Sequence, residues 1–455
     1  PTLSKSSSPT NTPTTSSPTT LPTSRPTLSP TQFPSFNPTL APTTSMDPTS
    51  SSQPTASFWD QVGNDILGVS SRDRAGAAIA MSSNGTVVAV GASSNDGNGP
   101  NSGHVRIFEL NEQSLSWVQR GTNINGAQAG GRFGSAVAIS GDGTVVATGA
   151  PNETVTGRAN GRVRVHVWDG VQWTQRGPDI RGKPAGGDFG SSISISKDGM
   201  TLAVGDPLND ITPSATNANF GSVQVFRWNG ARWVQLGIDL FGTSVGDQLG
   251  TSISLSGDGL SLAVGVSRYD NSNGNNVGMV SVYQWNPAQS RWRKRGLDIL
   301  GESRGDRSGK SVSLSYDGSV VAIGAWLNSN SGGVDAGHCR IYEFNGGAWI
   351  QRGQDLDGRA NEDRFGTSVA LSASGDTVVV GASGINASGH ADVFRFDNVN
   401  NIWVQLGIDL DGQATGNEFG RAVAMSDDGS SVAIGGPLND VIGNNSGAVR
   451  VFKWV

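Results

Sequence analysis

The sequence predicts an all-β fold, a seven-bladed β-propeller of four-stranded antiparallel blades, and three observations carry that expectation. A tryptophan and three glycines recur at fixed spacing. Each copy divides into four short alternating segments, and the two ends of the array hold complementary fragments of one copy. The tryptophans are Trp59, Trp117, Trp173, Trp233, Trp292, Trp349 and Trp403. From each of them to the first glycine of its copy (Gly76, Gly134, Gly190, Gly250, Gly309, Gly366, Gly420) is 17 residues, 9 more lead to the second and 6 more to the third. No copy carries an insertion across those 32 residues. A sustained period overrides the two or three domains that 455 residues would otherwise suggest. A chain with 35% hydrophobic residues and 64 glycines suits many short strands joined by tight turns.

Residues 1–56 hold repeated Ser/Thr-Pro steps such as Ser8-Pro9-Thr10, Ser17-Pro18-Thr19 and Ser29-Pro30-Thr31, with side-chain charge only at Lys5, Arg25 and Asp47. Such a segment buries too little apolar surface to offset its chain entropy, so it is expected to be a disordered stalk or linker. Ser/Thr with Pro is also the composition of O-glycosylated stalks. A start at Pro1 rather than Met implies a processed precursor or a fragment.

The propeller is expected over 57–455, with strands A to D in each blade. Period-two alternation is plain in strand A (Ser135-Ala136-Val137-Ala138-Ile139) and in strand C (Val163-Arg164-Val165-His166-Val167-Trp168). Between A and B stands a hairpin turn at Asp142-Gly143, Asp198-Gly199, Asp258-Gly259, Asp317-Gly318 or Asp428-Gly429, with Asn84-Gly85 and Ser374-Gly375 in the other two copies. Strand B ends at the third glycine, and a loop of variable length leads to strand C. Strand D carries the Trp and then Gly-x-Asp-Ile/Leu. Trp59 supplies a strand D before any strand A, while the last copy stops at Trp454-Val455 after strand C, so the ends are expected to complete one blade and remove every free sheet edge.

Phe133-Gly134 with Gly149-Ala150-Pro151, Phe189-Gly190 with Gly205-Asp206-Pro207, and Phe419-Gly420 with Gly435-Gly436-Pro437 resemble the FG-GAP repeat of integrin α-subunit propellers and of many secreted propellers. The resemblance covers 57–455, although Ala75-Gly76, Leu249-Gly250 and Ser308-Gly309 lack the Phe. It implies a propeller and an adhesive, ligand-binding role. The family's calcium loop between strands A and B is not carried over, because only 9 residues separate Gly134 from Gly143, and likewise in every copy, which leaves no room for an oxygen-rich cage. The Asp-Gly turn followed by Leu-Ala-Val-Gly also looks like a WD40 blade, but the Trp-Asp dipeptide that would end strand C is expected to be missing.

Composition and motifs point away from several chemistries. The formal charge is −6 without a Lys/Arg cluster, which argues against nucleic acid and anionic membranes as partners, and no run of about 18 apolar residues is present to insert into a bilayer. Cys339 falls on an inward apolar slot and reads as a buried free thiol. His104, His338 and His390 follow the strand C glycine on separate blades, and His166 stands alone, so no metal site and no cofactor is expected. The turn aspartates, and the Asp of each Gly-x-Asp step (Asp179, Asp239, Asp298, Asp355, Asp409), recur too regularly to be catalytic.

Variation locates the candidate site. The interval from the strand B glycine to the strand C glycine runs 12, 12, 16, 13, 13, 8 and 12, and these B–C loops share a face with the D–A loops. Variable loops on a rigid scaffold are where binding concentrates. Arg268-Tyr269-Asp270, Trp326 and the Arg304-Gly305-Asp306 tripeptide are neighbours on that face, where aromatic rings beside polar groups suit a sugar or protein ligand. Arg304-Gly305-Asp306 also resembles the tripeptide that adhesion receptors recognise, although Gly305 and Asp306 match Gly246 and Asp247 of another copy. Sequons at Asn84, Asn152, Asn386 and Asn444 are candidate glycosylation sites. The expected function is a monomeric, non-enzymatic, extracellular or cell-surface module binding protein or glycan, with a structural matrix protein and a glycan-active enzyme as alternatives.

Overall fold

The computed structural model describes residues 57–154, 160–183, 187–210, 218–384 and 387–455. The segment 1–56 and the sequon asparagine Asn386 lie outside them. The chain is a seven-bladed β-propeller. All regular structure among the described residues is β-strand, in seven antiparallel sheets with the order A-B-C-D. Blade 1 shows the plan: strand A is Ala78–Met81, B is Val87–Ala92, C is His104–Asn111, and D is Ser116–Gln119 followed by a short second piece, Ile124–Asn125. Both pieces of D pair with C, so the strand is one outer edge interrupted by a bulge.

That bulge explains the recurring Gly-x-Asp. Gln61, Gln175, Gln235, Gln351 and Gln405 each reach the carboxylate four residues on, at 2.5–2.9 Å, and clamp the break shut. Asp65, Asp179, Asp239, Asp355 and Asp409 therefore serve the fold. The A–B turn aspartates do the same. Asp142 Oδ1 accepts from Ser140 Oγ at 2.6 Å and from the Thr144 N–H at 2.9 Å, an Asx-type turn repeated at Asp198, Asp258, Asp317 and Asp428. One Trp-Asp dipeptide does end a strand C, Trp168-Asp169 in blade 2, and Asp169 caps the next turn by accepting from the Val171 and Gln172 N–H groups.

The seam closes where the ends of the repeat array place it. Strand D of blade 7 is Trp59–Gln61 with Ile66–Leu67, paired with Ala448–Trp454 in the register Trp59↔Trp454 and Ile66↔Val449.

Neighbouring blades meet through glycine. The first glycine of each repeat has positive φ, and its carbonyl lies against the third glycine of the preceding blade. A Cβ at Gly149 would stand 1.9 Å from the Gly190 oxygen, one at Gly91 2.2 Å from the Gly134 oxygen, and one at Gly435 2.1 Å from the Gly76 oxygen across the seam. No side chain fits there. The tryptophans make a second ring: each indole N–H donates to a strand D carbonyl of the preceding blade, from Trp117 to Val62 at 2.9 Å round to Trp59 on Leu406 at 2.7 Å. A third ring runs through the A–B turns, where Ser83, Gly141, Lys197, Gly257 with Asp258, Tyr316, Ala373 and Asp427 are joined by backbone hydrogen bonds that return to Ser83. Cys339 is fully buried, and burial pushes its thiol up to about 12.

Two measurements check these interfaces. Gly149→Ala is expected to cost about 3 kcal/mol by forcing two backbones apart, whereas Gly347→Ala, whose Cβ would meet nothing closer than 3.8 Å, stays within about 1 kcal/mol of wild type in urea denaturation. Removal of residues 57–68 strips strand D from blade 7, and the truncated chain should leave the monomer peak in size-exclusion chromatography. A monomer of unchanged thermal stability would refute the seam.

Candidate functional site

The B–C and D–A loops do lie together on one face. Parallel bridges join the start of each strand C to the D–A loop of the next blade, as in Gly278 to Ser308 and Gly103 to Phe133. A Cβ at Gly274 in the blade 4 B–C loop would stand 2.6 Å from Arg304 Cβ, so these loops touch.

The expected ligand residues divide on inspection. Arg304 and Arg268 are exposed and have no acid partner within 4 Å among the described residues. Tyr269 is half-buried against the core of blade 4, which includes Leu249 and Val266. Asp270 is exposed, but its Oδ1 accepts from the Asn276 N–H at 2.7 Å and shapes its own loop. Asp306 is 2% exposed, with Oδ2 accepting from the Ser303 N–H at 2.8 Å. Asp73 and Asp247 turn inward in the same way in their copies, so the carboxylate of Arg304-Gly305-Asp306 belongs to the repeat and does not face an adhesion receptor. Of the sequons, Asn84 and Asn444 are exposed and Asn152 is half-buried.

Trp326 is the centre of the cluster. It directly follows strand B of blade 5 (Val320–Ala325), in the slot that holds Ser93, Pro151, Pro207, Ser267, Ser383 and Pro437 in the other blades. Three cations surround its ring: the guanidinium carbon of Arg364 at 4.8 Å from the ring centre, Lys310 Nζ at 5.6 Å and Arg307 at 6.0 Å. Arg307 and Arg364 precede the Phe slot with φ of 54° and 59°. Lys310 and Arg421 follow the first glycine, where the other copies have Ala77, Ser135, Ser191, Thr251 and Thr367. Burial, then Arg421 and Arg307, lower Lys310 to about 8, and burial followed by Arg268 lowers Arg307 while Asp335 opposes. The Trp326 Nε1–H and the Arg364 Nε–H are buried without an acceptor.

Lys310 and Arg421 stand on the rim of an axial cavity of about 240 Å³, lined also by Ser135, Thr251, Ser311 and Thr367. The opposite end of the axis differs. There Lys197 of blade 3 reaches across to Asp427 of blade 7, with Nζ 2.5 Å from Oδ1, beside Tyr316 and Met81.

Two further clusters carry their own counter-charges. Glu153, fully buried, takes a bidentate pair from Arg164 at 3.0 and 2.9 Å and a third contact from Arg162 at 3.1 Å. Glu302, His338 and Asp355 offer ligand atoms within 4.8 Å of one another, a juxtaposition that the separate-blade placement of the histidines did not suggest. Arg340 stands 3.2 Å from Glu302 and already supplies that carboxylate with a cation. Burial, then Arg340, hold His338 at about 4 against the pull of Asp355.

Arg307, Lys310, Arg364 and Arg421 are absent from the sequence-based candidates. Aligning the seven copies column by column would have found Lys310 and Arg421, which are large residues in a column of small ones as Trp326 is in its own.

No protein-family model matches the chain, and no curated protein matches it. Solved structures do. The WD40 repeats of RRP9 superpose with a TM-score of 0.50 at 12% identity, covering 88% of this chain and 98% of that one. The periplasmic gluconolactonase PpgL of Pseudomonas aeruginosa gives 0.53 at 16% identity, with 82% and 91% covered. A putative 6-phosphogluconolactonase of Bacteroides uniformis gives 0.51 at 12%, with 75% and 86% covered. These likenesses establish the propeller fold.

Buried neutral histidines make the fold acid-sensitive. Burial first, and then Arg106 or Arg164, lower His104 and His166 to about 4, with Asp73 and Asp179 opposing. A folded-state value below the ordinary 6.5 means that the stability they contribute is present above pH 6.5 and lost as pH falls toward 4. The urea midpoint should therefore fall over that window, and His104→Gln with His166→Gln should flatten the fall.

Proposed function

We propose that the chain is a non-enzymatic recognition or adhesion module, presented outside the cell or on its surface by the Pro/Thr/Ser-rich segment. It binds protein or glycan through its B–C and D–A loop face and works as a monomer. Its repeat is of the FG-GAP type, without calcium loops. The observation that carries this reading is where the sevenfold pattern breaks. Trp326, Lys310 and Arg421 replace small residues at one end of the axis, beside Arg268 and Tyr269. The two cations have no acid partner there among the described residues, whereas the large residues of the A–B turn side include Lys197 and Asp427, which pair with each other, and the turns close into a backbone ring. A binding face is the usual place for such departures on a repeat scaffold.

Glu153 and Glu302 are each engaged by an arginine, so neither carboxylate is free to act as a general acid or base. The lactonase propellers among the structural neighbours share 16% identity or less and lend this chain no chemistry of their own. Under this reading Asn84 and Asn444 carry N-glycans.

A glycan and protein binding screen of the chain, with and without Ca²⁺, tests the proposal. Tyr269→Ala and Trp326→Ala should each weaken the ligand found by about 2 kcal/mol, roughly thirtyfold, as for an aromatic anchor. Unchanged binding in both variants, or turnover of a gluconolactone, would reject it.

A further inference from the structure

We propose that the axial end of the loop face is a receptor for an anionic head group, and that its ligand is an acidic saccharide. The inference rests on the recognition reading above and assigns that site a ligand class.

Charge comes first. Arg307, Lys310, Arg364 and Arg421 converge on Trp326 and the axial rim, and none of the four has a carboxylate within 4 Å among the described residues. Four other basic residues of this face are paired, Arg162 and Arg164 with Glu153, Arg340 with Glu302, and Arg359 with Asp392 and Asp409, whereas the unpaired Arg268 and Arg304 stand close by and add to the positive charge. In a chain of net charge −6, an unneutralised group of four cations is a local exception. Mutual repulsion and partial burial raise its energy, and an entering anion relieves both.

Hydrogen bonding points the same way. Two donors at this site, the buried Trp326 Nε1–H and Arg364 Nε–H, lack an acceptor, and the nearby Ser308 hydroxyl and Asn328 Oδ1 are also unmet. Buried donors without acceptors are rare and costly, and an oxyanion supplies several acceptors at once.

The size and lining of the cavity narrow the ligand. At about 240 Å³ it is smaller than the usual small-molecule pocket, so it admits one charged end group while the rest of the ligand lies over the loops. Ser135, Thr251, Ser311 and Thr367 line it, and the surrounding loops carry Asn271, Ser272, Asn273 and Asn275. Those hydroxyls stand at short intervals beside an aliphatic wall that includes Ile79, Val137, Ile193 and Ile253, a mixture that suits a saccharide ring, whose hydroxyls alternate with apolar C–H faces.

The test uses the full chain and three probes of equal length: a galacturonic acid hexamer, a neutral galactose hexamer and a hexaglutamate peptide, compared by calorimetry at low and physiological salt. The galacturonate hexamer should bind, the neutral hexamer at least about tenfold more weakly, and Lys310→Met with Arg421→Gln should weaken the acidic probe about tenfold or more. Lys310→Arg should keep binding, Trp326→Phe should lower it by removing the indole N–H, and Asp427→Asn at the other mouth should leave it unchanged. Thermal midpoints near wild type separate lost binding from lost fold. Equal binding of the neutral hexamer, tighter binding of hexaglutamate, or acidic binding that the Lys310 and Arg421 changes leave intact would each overturn the assignment. If neutral glycan binds and depends on Tyr269 and Trp326 while galacturonate does not bind, the recognition reading survives and the anionic one fails.

Discussion

The contact between two glycines at each blade boundary is the constraint on which the rest of the molecule depends. The Gly190 carbonyl lies so close to the Gly149 Cα that a single methyl group would force the blades apart, and the same approach recurs around the ring to Gly435 and Gly76. It fixes how far inward each strand A sits and how strand B of one blade meets strand A of the next. The tryptophan N–H bonds and the ring of A–B turns then hold the outer and lower parts of the blades at matching spacing. A residue added between the glycines of one copy would move one of these three sets of contacts relative to the others. Spacing is therefore constant within the 32-residue unit and free only in the B–C loops.

Most of the architecture was legible because it is periodic. Blade number, strand order and the seam follow from positions of Trp and Gly, which are scarce in meaning: Gly149 and Gly190 answer a steric demand that no other residue meets. The site was legible only in part. Trp326 and Arg268 stood out by type, and the repeat itself warned that Asp306 is a folding residue, as its inward carboxylate confirms. Arg307 and Arg364 gave no signal, since Arg74 and Arg132 occupy the same column and only the approach of Trp326 distinguishes them. The Glu302, His338 and Asp355 grouping was hidden because it joins a D–A loop, a strand C and a strand D bulge, three segments that no spacing rule connects.

The two ends of the axis are built on opposite electrostatic principles from the same strands. Toward the A–B turns, opposite charges from Lys197 and Asp427 meet and cancel. Toward the loops, like charges gather around one indole, held by cation–π attraction instead of by acids. Fold energetics alone do not call for the second arrangement. Blades 1 to 3 place Ala77, Ser135 and Ser191 where blade 5 places Lys310, and those blades close equally well.

The Lys197 to Asp427 contact also decides what kind of space the propeller encloses. It joins blades 3 and 7, nearly opposite one another in the ring, so it lies across the axis like a bar across a drain. The centre of the molecule therefore has two unlike mouths, one crossed by a neutralised pair and the other edged by cations unpaired among the described residues. An anion approaching from the A–B turns meets a charge already balanced, while one approaching from the loops meets positive charge with no partner of its own.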